Sequence, residues 1–131
     1  MEMLCVDLWA PQPGNDAKPG GETYAGWDQQ GALDRFRAFV DANFAERVTI
    51  RRERTVEAAA SVPDESLDFA FIDADHTYEG CLADINAWAP KIRRGGMLCG
   101  HDVNWPTVRK AVLETGGGSI ASDNVWFRFK V

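Results

Sequence analysis

The sequence predicts an α/β domain, a mostly parallel sheet with helices on both faces, and three observations carry that expectation. Short apolar runs suited to strands alternate along the chain with stretches whose apolar residues recur at helical spacing. The run LDFAFID, starting at Leu67, is apolar at four of the five positions from 69 to 73, as in a strand buried on both faces. The last run instead alternates, with Val125, Phe127 and Phe129 set against Trp126, Arg128 and Lys130, as in an edge strand exposed on one side.

At 131 residues the chain suits one domain, spanning residues 1–131. Its 45% apolar content, with seven Phe and five Trp, is enough for a packed core and excludes a disordered chain. The net charge of −6 leaves no basic stripe to neutralise phosphates, so nucleic acid is excluded as the main partner. Cys5, Cys81 and Cys99 are odd in number and lack CxxC spacing. They read as reduced thiols of a cytoplasmic protein, not as a disulfide frame or a zinc site. No apolar run approaches the roughly 20 residues needed to cross a bilayer, and no signal peptide precedes the first strand, so a soluble protein off the membrane is expected.

Taken in order, residues 3–8 read as a strand with Asp7 at its carboxyl end, where an acidic side chain can hold a ribose diol. Residues 11–26 are rich in Pro and Gly without periodicity, as in a long mobile loop of the lid type. From 28 to about 46, Leu33, Phe36, Phe39, Val40 and Phe44 recur as one helical face. Residues 48–52 form a short strand, and the basic run Arg51, Arg52 and Arg54 around Glu53 reads as its solvated end. Thr55 suits the N-cap of a short helix reaching Ala60. Residues 63–66 turn into the strand at 68–73. Cys81, Leu82, Ile85, Trp88, Ala89 and Ile92 then form a helical stripe that Pro90 kinks or ends. Arg93 and Arg94 favour that helix's C-terminus, and Gly95-Gly96 its stop. A strand follows at 97–100, then a helix with Pro106 as its first residue and an end near Glu114. Gly116 to Gly118 separate it from the final strand.

Two acidic clusters close strands and open helices: Asp73-Ala74-Asp75-His76 and His101-Asp102. Charges at a core strand's end are costly unless paired or metal-bound, and ligands of open α/β sheets sit beyond the strands' carboxyl ends. If the two strands are neighbours, both clusters face one crevice. Two hard carboxylates there, Asp73 and Asp102, suit Mg²⁺ or Ca²⁺, with His101 beside them as a further candidate ligand. Zinc would call for a third strong ligand that is not obvious. His76 is placed to act as a general base, because imidazole titrates near neutrality. The competing reading for each is structural: a capping Asp, or a surface histidine.

The block from Leu67 to Val112, with IDADH, Tyr78, Gly95-Gly96 and GHD in order, resembles the carboxyl half of a class I S-adenosylmethionine-dependent methyltransferase. It is most similar to small O-methyltransferases that act on small molecules or sugars. The resemblance implies a Rossmann-like sheet with an antiparallel edge at the C-terminus, S-adenosylmethionine as cofactor, Mg²⁺ as an assisting ion and a small-molecule acceptor. It puts Asp7 at the cofactor's ribose, Thr55 near its adenosine, and Asp73 beside both cofactor and metal. Asp102 falls at a metal ligand, and His76, with Asp73, at the catalytic centre.

Two departures bear on that reading. Val103 follows Asp102 where catechol-type relatives carry Asn, and Asn104 comes one place later. Only six residues precede Asp7, so the glycine-rich strand–helix unit that cradles the cofactor's methionine end has no counterpart, and an N-terminally truncated core is expected. Such a core should bind cofactor poorly and associate with a second copy or a partner that supplies the missing layer. Two other classes compete. FIDADHT also fits the hhhDxDxT motif of haloacid-dehalogenase-type phosphatases, with Asp73 as nucleophile and Asp75 as acid and base. A non-catalytic, methyltransferase-like interaction module would keep the motif without using it.

Overall fold

The computed structural model of the chain describes residues 2–10 and 26–131, and it divides into two compact units, Met1–Ala58 and Ala59–Val131. The expected lid at 11–26 falls, but for Gly26, outside the described residues. Among the described residues no helix is long and apolar enough to cross a membrane.

The first unit pairs β1 (Met3–Asp7) with β2 (Val48–Arg52) in parallel, in register from Met3 opposite Val48 to Asp7 opposite Arg52. Between them runs α1 (Gln29–Asn43), capped by Asp28, whose carboxylate accepts the Gly31 N–H at 2.8 Å. Leu33 and Val40 are buried, and Phe36 stacks on Trp9 with centroids 6.0 Å apart. Phe39 and Phe44, read from the sequence as part of the same stripe, are exposed and tilt against each other at 5.8 Å. At about 100° per residue, Phe39 points roughly 120° away from Leu33, and Phe44 lies just past the helix. The basic run is more than a solvated strand end. Arg52 donates from Nε to the Leu8 carbonyl (3.0 Å), from Nη2 to the Trp9 carbonyl (3.0 Å) and from Nη1 to Gln30 Oε1 (2.8 Å). That fork fixes the turn after β1, where Trp9 takes a left-handed φ of 43°. Helix α2 (Thr55–Ala60) starts at Thr55 itself, and the Ala58 N–H donates to the Arg54 carbonyl, so the cap falls to Arg54, one residue earlier than expected.

The second unit is a four-stranded sheet in the order β3 (Leu67–Ile72), β4 (Ile92–Gly100), β6 (Trp126–Phe129), β5 (Ser119–Ile120). β3 and β4 are parallel, and the other two pairs are antiparallel, giving the expected edge. Helix α3 (Tyr78–Trp88) buries Cys81, Ile85 and Trp88, then Pro90 turns it into a 3-10 stretch at Ala89–Lys91. The strand that follows begins earlier than residue 97. Ile92 pairs with Leu67 and is buried, so Arg93 and Arg94 are strand residues and not helix-terminal charges, and Arg93 Nε meets Asp68 at 2.7 Å. Gly95 (φ 76°) and Gly96 do not stop a helix. They carry an irregular start of β4, where a Cβ on Gly96 would lie 2.7 Å from the Asp68 carbonyl. Helix α4 (Pro106–Glu114) has the expected bounds and buries Val108, Ala111 and Val112.

The three cysteines are free, and burial raises all their thiols; Cys81 is pushed up to about 12 by desolvation first and then by the charges of Asp84 and Asp75. On β6 the buried side is that of Trp126, 1% exposed, not that of Phe129. Trp126 lies opposite Gly100, and a Cβ on Gly100 would come within 2.8 Å of the indole Nε1, so the glycine makes room for the ring. Ile72, Leu98 and Trp126 thus share the covered face. Phe69, Phe71 and Phe129 on the other are 44%, 49% and 61% exposed.

Candidate active site

The site lies where the parallel pair β3–β4 ends. The His101 N–H donates to the Ile72 carbonyl at 3.1 Å, carrying the ladder one step further and placing Asp73 and Asp102 at adjacent strand ends. The loop after β3 is shaped by its own side chains. Asp75 Oδ1 accepts the Thr77 N–H at 2.8 Å, and Thr77 Oγ1 caps α3 by accepting the Gly80 N–H at 3.1 Å. A Cβ on Gly80 would fall onto the Asp75 carboxylate, so glycine there is what lets Asp75 fold back over the helix start. Asp75 therefore builds the loop that presents His76. Asp102 reaches its place through a left-handed φ of 55°, tolerated by Asp better than by most residues.

These elements bring Asp73, His76 and Asp102 together, with one ligand atom from each within 4.8 Å of the others. His76 Nε2 lies 2.7 Å from Asp102 Oδ2 and 3.4 Å from Asp73 Oδ1. The histidine side chain is 10% exposed, against 20% for Asp102 and 45% for Asp73, so the cluster opens to solvent on the Asp73 side. An ionised carboxylate only accepts, so Nε2 carries the proton in the contact with Asp102. The imidazole also packs on Trp105, with centroids 4.8 Å apart and planes inclined by 35°. Thr107 Oγ1 donates to the His76 carbonyl at 2.7 Å.

Burial by itself lowers the pKa of His76, but the hydrogen bonds to Asp73 and Asp102 and their charges outweigh it, and the net shift is upward from 6.5. A folded pKa above the unfolded one contributes stability that is fully present below pH about 6.5 and is lost as the pH rises through the folded value. The metal-free chain is thus expected to lose thermal stability as the pH rises from about 6.5, with a slope absent in His76→Gln. Mg²⁺ should compete with that proton and shift the His76 titration downward. An NMR titration of the imidazole with and without Mg²⁺ checks both; a titration unmoved by the ion would separate His76 from the carboxylates as a binding unit.

Of the residues singled out in the sequence, Asp73, His76 and Asp102 converge. His101 stands apart from that group: its Nδ1 lies 3.2 Å from Asp102 Oδ1, on the opposite oxygen from His76. Asp7 and Thr55 belong to the first unit. Asp7 is exposed at the end of β1 and accepts the Trp9 N–H, and Thr55 opens α2. Val103 is buried, and its N–H donates to the Asn124 carbonyl at 3.1 Å, so that position serves packing and not ligation. Sequence reasoning missed Trp105. The available signal was its place just before Pro106, at a helix start facing the second acidic cluster.

The profile of a family described as "Methyltransferase domain" matches residues 2–103. No curated protein sequence matches the chain. Among solved structures, it is similar to the O-methyltransferase NovP (TM-score 0.67, 20% identity, 99% of this chain and 60% of that one). It is also similar to apo CalS11, a TDP-rhamnose 3'-O-methyltransferase of calicheamicin biosynthesis (0.62, 15%, 98% and 58%). A third is a protein of Corynebacterium glutamicum (0.54, 16%, 99% and 61%). The likeness is one of fold, a Rossmann-like methyltransferase architecture, and the chain spans about 60% of the length of each.

Proposed function

The chain belongs to the methyltransferase domain family, and on that premise we propose that it serves as an S-adenosylmethionine-dependent O-methyltransferase, assisted by Mg²⁺, acting on a hydroxyl of a small molecule or sugar. The observation that carries this reading is the convergence of Asp73, His76 and Asp102 beyond the carboxyl ends of β3 and β4. S-adenosylmethionine supplies an electrophilic methyl group, and Mg²⁺ the positive charge that makes an acceptor hydroxyl more acidic. Asp73 and Asp102 fit the ion because hard carboxylate oxygens are its preferred protein ligands, and His101 stands at the edge of that set. His76 takes the acceptor's proton; its place beside the two carboxylates suits that role. Exposed at its strand end, Asp7 fits a ribose diol, and Thr55 opens the next helix of the same unit. The open face of Phe69, Phe71 and Phe129 is where a second copy or another polypeptide would pack under the same reading.

A phosphatase reading through DxDxT finds no support in Asp75, whose carboxylate is engaged with the Thr77 N–H at the α3 N-terminus and lies against Gly80. Isothermal titration with Mg²⁺ tests the metal site. Binding should be weak in the parent and fall by roughly tenfold or more in Asp73→Asn and in Asp102→Asn. Parent-like affinity in both variants would remove the site. Retained Mg²⁺ binding without methyl transfer to any hydroxyl acceptor would favour the non-catalytic alternative.

A further inference from the structure

The turn after β4 delivers two groups to one imidazole. Asp102 is its first residue and Trp105 its fourth, and the Trp105 N–H closes it by donating to the Asp102 carbonyl at 2.9 Å. Because the turn closes within four residues, the Asp102 carboxylate meets the Nε2 edge of His76 while the indole lies against the ring's face. The placement of the indole is held from the other side as well. Trp105 is extended (φ −74°, ψ 129°) ahead of Pro106, whose ring disfavours the helical alternative, and its carbonyl accepts the first α4 hydrogen bond, from Arg109 at 2.9 Å. Thr107, one residue beyond Pro106, ties the same helix start to the His76 carbonyl.

We propose that Trp105 is a positioning residue for His76, bearing on the tilt of the imidazole by packing against its ring. The inference rests on the reading of His76 as the proton acceptor in methyl transfer. Contacts at the Nε2 edge fix the direction of that atom, whereas rocking about that edge is governed by what packs on the ring. An aromatic surface across its face removes the rocking. Proton transfer depends steeply on that alignment, so a group that never touches the acceptor still acts on turnover.

The test compares Trp105→Leu and Trp105→Phe in the full chain. The chain has two histidines, so His101→Gln assigns the His76 ring signals in NMR. In the parent these signals should be displaced by the indole ring current and show contacts to indole protons. The displacement should vanish in the Leu variant and persist in part in the Phe variant. In O-methylation assays the Leu variant should lose roughly three- to tenfold in kcat, the scale of one aromatic pair, with little change in KM for S-adenosylmethionine. Trp105→Phe should restore most of that loss. His76 signals unchanged in the Leu variant would overturn the proposal, as would a Phe variant as slow as Leu. If Leu disrupts folding, the Phe comparison and the parent's indole–imidazole contacts still decide it. A parent without turnover would sink the methyltransferase reading, while the NMR arm judges Trp105 separately.

Discussion

Replacing His76 by Ala is expected to lower kcat for O-methylation by about 10²–10⁴-fold, the usual worth of a positioned general base, while KM for the acceptor changes little. The expectation follows from geometry and electrostatics together. The imidazole meets the Asp102 carboxylate at 2.7 Å and Asp73 at 3.4 Å and packs on Trp105, while Thr107 holds the residue's backbone carbonyl. In the metal-free chain the imidazole's basicity is raised by the two carboxylates that would also hold a cation. His76→Gln keeps a polar side chain of similar reach without the base and should be as slow as Ala. Steady-state kinetics on both variants, with folding checked by circular dichroism, decide the matter. Turnover equal to the parent's in either would reduce His76 to a helix-start residue that merely pairs with Asp102.

Trp126→Ala should produce the largest loss of stability in the second unit, about 3–5 kcal/mol by urea unfolding. Trp126 is 1% exposed, lies opposite Gly100, and has the Arg128 guanidinium 5.9 Å from its ring. Removing the indole opens a cavity beside the last residue of β4, two positions before Asp102. It also leaves Arg128, which donates to Thr115 Oγ1 and the Gly117 carbonyl, without its aromatic neighbour. Trp126→Phe, which keeps most of the volume, should cost less than half as much. A loss below about 1 kcal/mol for the Ala variant would mean that Trp126 is not the anchor of this sheet. Because folding stability is commonly only 5–15 kcal/mol, the Ala variant should be visibly marginal at physiological temperature.

The fold class was legible because its signals are local. The apolar run ending at Ile72, the helical spacing of Cys81, Ile85 and Trp88, and Pro106 at the start of α4 each act within one element, and each element formed where it was read. However, β3, read as buried on both faces, leaves Phe69 and Phe71 exposed on one. The acidic strand ends were equally legible, since a charge that closes an apolar run stands out against the cost of burying it. The errors arose where a neighbour in space outweighed a local preference. Arg93, Arg94 and the two glycines read as a helix end, but Ile92 gains more by pairing with Leu67 across the sheet. Phe39 and Phe44 read as core, but Phe39 points away from the buried face of α1 and Phe44 falls beyond the helix's end.

Reading along the chain was enough to single out two aspartates and a histidine near strand ends, with the helix signals that follow them. Only the tertiary structure decided that His76 and Asp102, 26 residues apart, share a 2.7 Å contact, that Asp75 folds back over α3, and that Trp105 lies on the imidazole. It likewise decided which side of β6 is buried, because the space for Trp126 exists only where Gly100 of the neighbouring strand lacks a side chain. The physical reason is the same in each case. Helical and strand periodicities are set by the backbone and can be read along the chain, whereas strand register and turn closure depend on which residues meet across space.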